Sequence, residues 1–264
     1  MTQSSASPVD IRFPSRVTRF TRILIGAGEM EAAPTGLRLV LDGAQRGVLS
    51  DSELNDLRGF TRRDLPWRPP LRMEVEACAS HAANRLVGTA GFGFWNDPFN
   101  PAQGLTAAPN AVWFFFASPP ARMPFVPGGP PNGWKAATLN GGAVPESLVA
   151  LGLQALRIPI LGQLLYRLAR GRSIAAAEAT LTTALDAPHL YRIEWRAERA
   201  DFWVDDVHVL RSTAPPRVPL GFVAWVDNNC ASETVSGDLT WERLATPQRE
   251  WLELRRVTIT GLRA

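Results

Sequence analysis

Residues 189–210 constrain the fold of this chain more than any other stretch, because they carry the pattern of a β-hairpin. Ile193 and Trp195 alternate with charged residues, and Phe202 and Val204 alternate with their neighbours in the same way. A period of two residues is that of a strand in a sheet whose faces differ. We therefore predict strands over 190–195 and 200–204, followed by a third over 208–211.

Asp205 and Asp206 lie between the second and third of these strands. A two-residue hairpin requires positive φ at its turn, and Asp adopts positive φ more readily than most residues. The pair therefore predicts a tight turn at this point.

The composition fits an all-β sandwich with a large core. The chain has 264 residues, of which 45% are hydrophobic, with nine Trp and twelve Phe. Pro and Gly are scattered along it, which suits many strands separated by turns. Further strands are predicted over 71–79, 87–95, 111–118, 220–227 and 251–259. A strand over 111–118 would carry apolar side chains on both of its faces, so it is expected to be covered on both sides.

Two segments depart from the strand pattern. Residues 1–18 are expected to form a flexible arm, which leaves 19–264 as a single β-sandwich domain. Within that domain, leucines recur at helical spacing over 145–182, interrupted by Gly and Pro, and predict a short helical insertion. The insertion could cover a cleft as a lid, contact a membrane surface through 148–172, or pack as additional core.

Several function classes are excluded by what the sequence lacks. The net charge is only +3, and no basic run is interleaved with aromatic residues, so nucleic-acid binding is not expected. Two cysteines are too few for a disulfide framework, and the three histidines are not at metal-ligand spacing, so no metal is expected. No phosphate-binding or dinucleotide-binding motif predicts a cofactor. The polar N-terminus has no signal segment, which predicts a cytoplasmic protein, and nothing indicates an oligomeric state.

Several of these strands together resemble a known superfamily. The quoted segments are Arg-Met-Glu-Val-Glu-Ala at 72–77, Gly-Phe-Gly-Phe-Trp-Asn at 91–96, Tyr-x-Ile-x-Trp at 191–195, Pro-Leu-Gly-Phe-Val-Ala-Trp-Val-Asp at 219–227 and Leu-Glu-Leu-Arg-Arg-Val-Thr-Ile at 252–259. They are similar to the concanavalin A-like lectin and glucanase superfamily, in particular its laminarinase and lichenase class. The resemblance implies a jelly-roll sandwich with a binding cleft. It does not imply one activity, because the fold hosts lectins, hydrolases and lyases alike.

The chain departs from that class at the strand that carries catalysis. The hydrolases have a Glu-x-Asp-x-Glu strand, and retaining hydrolysis needs two carboxyl groups about 5–5.5 Å apart. The stretch in the corresponding place is 111–118, whose centre is Trp-Phe-Phe-Phe and which contains no carboxylate. Retaining glycoside hydrolysis from that strand is therefore not expected.

Aromatic residues are the main candidates for ligand binding. The cleft would be lined by Trp113 and Phe115, or by Phe114 and Phe116 if the strand faces the other way. Neighbouring strands would add three further indoles, namely Trp95, Trp203 and Trp225. Such rings stack on sugars and also enclose apolar ligands, but they equally fill the core of a sandwich.

Polar candidates come from one strand and two strand ends. Glu74 and Glu76 share a strand face, where two carboxyl groups in a cleft would raise one pKa and supply acid–base chemistry; alternatively they form a solvated face with Arg72. Asn96 with Asp97, and Asp227 with Asn228 and Asn229, follow strands at which a polar rim could hold hydroxyl groups. Turn formation explains these residues equally well.

The sequence leads to two principal hypotheses. The first is a pocket for a largely apolar small molecule, such as a terpenoid, polyketide or lipid-like compound, covered by the helical insertion. Any turnover there would be lyase-, isomerase- or cyclase-type chemistry by carboxylates, with Glu74 and Glu76 first and Asp97 and Asp227 next. The alternative is a carbohydrate-binding module without chemistry, in which Trp residues and Asn96, Asp97, Asn228 and Asn229 hold a glycan. A divergent glycoside hydrolase, with acids on strands not recognised from the sequence, is a third hypothesis.

Overall fold

The strands predicted by the period-two patterns form two antiparallel sheets that face each other. The computed structural model describes residues 7–14, 19–98, 100, 107–142, 174–233 and 239–262. Sheet A contains, in spatial order, β13 (Val207–Ser212), β12 (Ala200–Val204), β11 (His189–Trp195), β6 (Leu71–Ala79), β17 (Glu250–Gly261), β4 (Leu37–Leu41) and β3 (Gly28–Ala32), and β1 (Val9–Arg12) also pairs with β17.

Sheet B is the second layer of the sandwich and carries the candidate site described below. Its order is β10 (Ala175–Thr180), β9 (Gly133–Asn140), β8 (Asn110–Ala117), β7 (Thr89–Trp95), β14 (Gly221–Asp227), β5 (Asp51–Asn55) and β2 (Thr21–Ile25). A separate hairpin is formed by β15 (Asn229–Glu233) and β16 (Leu239–Arg243), and Arg62–Asp64 form one turn of 3-10 helix. This is the all-β sandwich that the sequence predicted.

The core lies between the two sheets and follows from alternation along each strand. On β6, Met73 and Val75 are fully buried, and on β8 Phe114 faces inward from sheet B. Phe114 contacts Tyr191 and Phe202 of sheet A, with ring centroids 5.0 Å and 5.5 Å apart. One continuous apolar cluster therefore joins the sheets.

The hairpin that dominates the sequence pattern forms as predicted. β12 and β13 are joined at Asp205 and Asp206, whose φ angles are 49° and 64°. The carboxylate of Asp205 also accepts a hydrogen bond from the backbone N–H of Leu190 at 2.9 Å, which fixes the turn against β11.

The predicted arm over 1–18 is corrected by the structure at its centre. Residues 9–12 form β1, which pairs with β17 from Val9 opposite Ile259 to Arg12 opposite Arg256. Val9 is 2% exposed, so this segment is part of the sandwich and not a loose extension. The apolar side chain at position 9 explains why the segment packs.

The predicted helical insertion over 145–182 is corrected at its C-terminal end. Ala175–Thr180 form the edge strand β10, paired with β9 from Ala175 opposite Asn140. The leucine-rich part, including the proposed membrane contact over 148–172, lies outside the described residues. Among the residues that are described, no helix is long and apolar enough to cross a membrane.

Candidate functional site

The side of sheet B that faces away from sheet A, called the outer face here, carries four aromatic rings. Trp113 and Phe115 come from β8, Trp95 ends β7 and Trp225 lies in β14. Trp95 stacks on Trp113 with centroids 5.2 Å apart, and Trp113 lies 5.3 Å from Phe115 and 5.4 Å from Trp225. Aromatic rings at such separations attract one another beyond the area they bury. We call these four residues the aromatic cluster.

The register of β8 decides which of its rings face outward. Phe114 and Phe116 are fully buried in the core between the sheets, whereas Trp113 and Phe115 belong to a separate apolar cluster on the outer face. Of the two alternatives left open by the sequence, Trp113 and Phe115 therefore line the outer face.

Two glycines of β7 give the aromatic cluster its space. Gly91 lies opposite Phe115 and beside Trp225, and a Cβ at position 91 would come within 2.7 Å of the Trp225 ring. Gly93 has a φ of 151°, and its Cβ would lie 2.6 Å from that of Trp113. The large side chains of β8 and β14 therefore lie across a strand that has no side chains of its own there.

Carboxyl groups stand beside the aromatic cluster on the same face. The register pairs Asp51 with Asp227 and Glu53 with Trp225 between β5 and β14. Ser52 and Leu54 of β5 are fully buried on the opposite face, so Asp51 and Glu53 point outward with Trp225 and Asp227. Side chains directly opposite on antiparallel strands have Cβ atoms about 4.5–5.5 Å apart, so Asp51 and Asp227 are close neighbours.

Asp227 is held as an acceptor by its surroundings. Its Oδ1 accepts hydrogen bonds from Thr89 Oγ1 at 2.8 Å and from the backbone N–H of Asn229 at 2.9 Å, and its Oδ2 accepts one from Asn229 Nδ2 at 2.5 Å. Thr89 in turn accepts a hydrogen bond from Trp225 Nε1 at 2.9 Å. Burial raises the pKa of Asp227, and these hydrogen bonds oppose that rise by stabilising the carboxylate.

Asp51 and Glu53 have raised pKa values for a shared reason. Burial raises the pKa of Asp51 first, and the charges of Glu53 and Asp227 raise it further. Burial likewise raises the pKa of Glu53, with contributions from Asp97 and Asp227, whereas a hydrogen bond from Asn55 Nδ2 to Glu53 opposes the rise. The apparent titration therefore belongs to the group of carboxyls and not to one residue.

Asp97 completes this group at the end of β7. It has a φ of 40°, its Oδ2 accepts a hydrogen bond from Asn100 Nδ2 at 2.9 Å, and its backbone carbonyl accepts one from Arg62 Nη2 at 2.9 Å. Burial raises its pKa, while the Asn100 hydrogen bond and the Arg62 charge act in the opposite direction. We call Asp51, Glu53, Asp97 and Asp227 the acid cluster.

Two buried polar atoms on the outer face have no hydrogen-bond partner among the residues that the structure describes. They are Asp51 Oδ1, an acceptor, and Trp113 Nε1, a donor. Buried polar groups in native proteins are nearly always paired, so an unpaired donor and an unpaired acceptor on one face indicate where a ligand could bind.

The loop over 119–132 covers part of the aromatic cluster. Phe125 lies 5.3 Å from Phe115 and 6.3 Å from Trp113 between ring centroids. Glu178 Oε1 accepts hydrogen bonds from the backbone N–H groups of Phe125 and Val126, both at 3.0 Å, and Glu178 Oε2 accepts one from Lys135 Nζ at 2.9 Å. A buried ion pair therefore anchors the loop to β9 and β10.

Asn96 and Asn228, predicted as ligand-binding residues, have structural contacts instead. Asn96 Oδ1 accepts a hydrogen bond from the backbone N–H of Asn110, and Asn96 Nδ2 donates to the carbonyl of Ala108, both at 2.9 Å. Asn228 is fully buried and bonds the backbone of the loops around it, accepting from Ser50 N–H at 2.9 Å. Their amides hold the ends of β7 and β14 in place.

Glu74, Glu76 and Trp203 are not part of the outer face of sheet B. All three lie on the outward side of sheet A, where Glu74 is opposite Arg192 on β11 and Glu76 ion-pairs with Arg255 at 3.7 Å. Trp203 packs under the guanidinium of Arg192, 4.6 Å from its ring centroid. The expectation that Glu74 and Glu76 border the same cleft as the aromatic cluster is wrong, because the whole sandwich separates them.

Asp51 and Glu53 were missed at the sequence level. Residues 51–55 are not among the predicted strands, because their outward acids alternate with only two inward residues, Ser52 and Leu54, of which one is polar. The available signal was the spacing of the acids, since residues two apart on a strand share a face.

The acid cluster does not have the arrangement of a metal site. Within the described parts of the chain, no three His, Cys, Asp or Glu side chains are placed so that they could hold a metal ion.

Comparison with known proteins identifies the fold. No protein-family model and no curated protein matches the chain. Among solved structures, it is similar to the Bacillus licheniformis β-glucanase, with a TM-score of 0.51, 10% identity and coverage of 98% of this chain and 100% of that one. It is also similar to Crh5 transglycosylase in complex with NAG, with a TM-score of 0.53, 12% identity and coverage of 98% and 86%.

A third similar structure is a legume lectin-like domain from Entamoeba histolytica, with a TM-score of 0.52, 7% identity and 97% coverage of both chains. Enzymes and a lectin-like domain thus match the same sandwich over nearly its whole length. The fold of this protein is that of the concanavalin A-like lectins and glucanases, as the sequence resemblance implied.

Proposed function

Because the chain has the concanavalin A-like fold, we propose that it binds a carbohydrate on the outer face of sheet B. Trp95, Trp113 and Trp225 stack on sugar rings, and the carboxyl groups of Glu53 and Asp227 accept hydrogen bonds from sugar hydroxyls. A Crh5 transglycosylase with the same fold has been solved with bound NAG, which supports a carbohydrate as the class of ligand.

One observation carries this proposal. Stacked indoles and half-buried carboxyl groups lie side by side on one sheet face, and one carboxylate oxygen, Asp51 Oδ1, has no hydrogen-bond partner among the described residues. A sugar presents apolar ring faces and a polar edge, so its binding site needs an aromatic ring and a hydrogen-bonding group next to each other. Glu53 and Trp225, which are directly opposite on β5 and β14, supply that combination.

The same acids argue against the first sequence hypothesis, a terpenoid or other largely apolar ligand. An apolar molecule seated on the acid cluster would remove water from several carboxyl groups without replacing their hydrogen bonds, which is costly. The structure gives that hypothesis no support, and the helical lid that it invoked falls mostly outside the described residues.

Binding to a glycan panel, followed by calorimetry on variants, tests the proposal. We expect Trp225→Ala and Glu53→Gln to weaken glycan binding at least about tenfold, which corresponds to about 1.4 kcal/mol. The matched controls are Trp203→Ala and Glu74→Gln on sheet A, and these are expected to bind as the wild type does. Glu53→Gln keeps the shape of the side chain, so it guards against loss of folding in Trp225→Ala. Equal effects on the two sheets, or no binding to any glycan, would refute the proposal.

Glycoside hydrolysis is a second candidate function, favoured by the opposed pair Asp51 and Asp227. β8 carries no carboxylate, as the sequence indicated, but β5 and β14 place two acids directly across from each other. Cβ atoms of such a pair lie about 4.5–5.5 Å apart, so the two carboxyl groups are able to reach the spacing of about 5–5.5 Å that retaining enzymes use.

The environments of Asp51 and Asp227 indicate which is the general acid and which is the nucleophile. Asp51 Oδ1 accepts no hydrogen bond from the described residues, and burial raises its pKa, so Asp51 is the proton donor to the glycosidic oxygen. Asp227 accepts three hydrogen bonds and is the carboxylate that attacks the anomeric carbon. Water then releases the sugar from Asp227 and returns a proton to Asp51.

Proton NMR of the products tests the second candidate. Hydrolysis of an oligosaccharide that binds should release product with retained anomeric configuration. Asp51→Asn and Asp227→Asn should each lower the rate at least about a hundredfold, in keeping with the usual contribution of general acid–base catalysis. Binding without turnover in the wild type would leave a lectin-like function only.

A further inference from the structure

Three of the four acids in the acid cluster have no counter-charge among the described residues. Among the described residues, no Arg, Lys or His forms an ion pair with Asp51, Glu53 or Asp227. The buried acid Asp201 provides a contrast, since it is 3% exposed and is bound by Arg199, Arg211 and His208.

The groups that face the acid cluster from neighbouring strands are neutral or acidic. On β14 they are Trp225 and Asp227, on β7 Thr89 and Gly91, on β2 Ile23 and Ile25, and after β14 Asn229. Among the acids of the cluster, Arg62 acts on Asp97 only: its charge lowers the pKa of Asp97, and its guanidinium donates to the backbone carbonyl of the same residue. Like charges so close together without a partner are unfavourable.

The aromatic cluster adds a second feature that suits a cation. Trp225 is directly opposite Glu53 and hydrogen-bonded to Thr89, which itself bonds Asp227. The face of an indole attracts ammonium groups through its quadrupole, and the attraction grows where water is excluded. An ammonium group beside Trp225 would therefore meet ring faces on one side and carboxylates on the other.

Independent of the acids, Trp113 points to a ligand that also accepts hydrogen bonds. Trp113 is only 7% exposed, and its Nε1 donor has no partner among the residues that the structure describes. Asp51 Oδ1 is the complementary case, a buried acceptor without a donor. A ligand that bonds both atoms must have a hydrogen-bond donor near Asp51 and a hydrogen-bond acceptor, such as a hydroxyl, near Trp113.

We propose that the ligand of this site carries a cationic amino group, and specifically that it is a glycan containing unacetylated amino sugar. The proposal rests on the carbohydrate-binding function proposed above and narrows its substrate class. An ammonium group bound between Asp51, Glu53 and Asp227 neutralises their mutual repulsion, and the sugar hydroxyls reach Trp113 Nε1. The raised pKa values of the three acids are consistent with this, because a site built for a cation is strained when it is empty.

Three trisaccharides of equal length test the proposal by calorimetry at pH 6.5: glucosamine trisaccharide, its N-acetylated form and cellotriose. The unacetylated amine is the only cation among them. We expect it to bind at least about tenfold more tightly than either neutral sugar, which corresponds to about 1.4 kcal/mol. Binding should also release protons from the acid cluster, which appears as a dependence of the measured heat on the ionisation enthalpy of the buffer.

Variants separate a specific site from general attraction between charges. Asp51→Asn and Glu53→Gln should remove most of the preference for the amine while changing cellotriose binding less. Glu74→Gln, which removes an acid from sheet A, should leave the preference intact. Neutral sugars binding as tightly as the amine would overturn the cationic ligand and leave the carbohydrate function standing. Absence of binding by all three would overturn the amino-sugar ligand, and the glycan panel then decides the carbohydrate function separately.

Discussion

At the residue scale, Asp51 lowers the stability of the folded protein at neutral pH and is at the same time a proposed ligand-binding residue. Its Oδ1 is buried and has no hydrogen-bond partner in the described part of the chain, and the charges of Glu53 and Asp227 act on it. A buried carboxyl in this position favours its protonated form. The native state therefore holds a proton that the unfolded chain, with an ordinary pKa of 3.8, has already released at neutral pH.

The first prediction concerns the pH dependence of stability. A raised native pKa gives stability that is complete below the unfolded value of 3.8 and is lost as the pH rises through the native value. Asp51→Asn removes this ionisation, so we expect it to raise the free energy of unfolding at pH 8 by about 1–3 kcal/mol, with little gain at pH 4. Urea unfolding at the two pH values measures the difference.

The exposed acid Asp186 provides the control for this measurement. Asp186→Asn should change stability equally little at both pH values. A loss of stability at pH 8 in Asp51→Asn, or a gain that is the same at pH 4, would mean that Asp51 is not held in the strained state described here.

Predictions for single residues agree with the structure on strands with an apolar pattern and differ from it on strands whose outward residues are polar. Trp113 and Trp225 are predicted to lie on strands and the structure places both on the outer face of sheet B, because aromatic residues at a period of two mark a strand strongly. Asp51 and Glu53 are not predicted to lie on a strand, since a short strand whose outward residues are all polar looks like a loop. Asp51 and Glu53 join the candidate site only because β5 pairs with β14, which is about 170 positions away in sequence and becomes adjacent on folding.

At the scale of elements, the buried ion pair between Lys135 and Glu178 joins two strands and a loop. Lys135, the only lysine in the chain, is fully buried, and its Nζ donates to Glu178 and to the carbonyl of Pro130. Glu178 in turn holds the backbone N–H groups of Phe125 and Val126. The pair thus fixes the loop over 119–132 against the aromatic cluster.

The second prediction tests this anchor. Glu178→Gln leaves the Lys135 ammonium buried without a counter-charge, so we expect it to lower the free energy of unfolding by about 3–5 kcal/mol. The double variant Lys135→Met with Glu178→Leu removes both charges. It should lower the free energy of unfolding by less than Glu178→Gln does, although the backbone N–H groups of Phe125 and Val126 lose their acceptor. Chemical denaturation of the three proteins gives the comparison. A single variant as stable as the wild type would show that the pair does not anchor the loop.

The elements predicted best were those with local signals. The β11–β12–β13 meander follows from alternation and from two Asp residues at positive φ, all within residues 189–212. The sequence pattern places β10 in a helical segment, because Ala175–Thr180 has no apolar alternation and its one charged residue, Glu178, lies on the outer face of sheet B, paired with Lys135. β1 was missed because its strand pairing is with β17, at the other end of the chain.

At the scale of the whole molecule, the two outward faces of the sandwich differ in chemistry. Sheet A presents paired charges, such as Arg72 with Glu194 at 2.5 Å and Arg256 with Asp10 at 2.8 Å. Sheet B presents the aromatic cluster and, in Asp51, Glu53 and Asp227, acids that form no ion pair with any described residue. Alternation along a strand tells which residues point outward, but it does not tell which of the two outward faces they join. That is why Glu74 and Glu76 were placed with the wrong set of rings.

The central claim is that ligand binds on the outer face of sheet B, and fluorine NMR of fluorotryptophan-labelled protein tests it most directly. The nine Trp resonances are assigned with single Trp→Phe variants, and the protein is titrated with the tightest-binding of the three trisaccharides. We predict that the resonances of Trp95, Trp113 and Trp225 shift, whereas those of Trp203 on sheet A and the exposed Trp241 on β16 do not. A shift of Trp203 with Trp113 and Trp225 unchanged would place the ligand on sheet A and contradict the account.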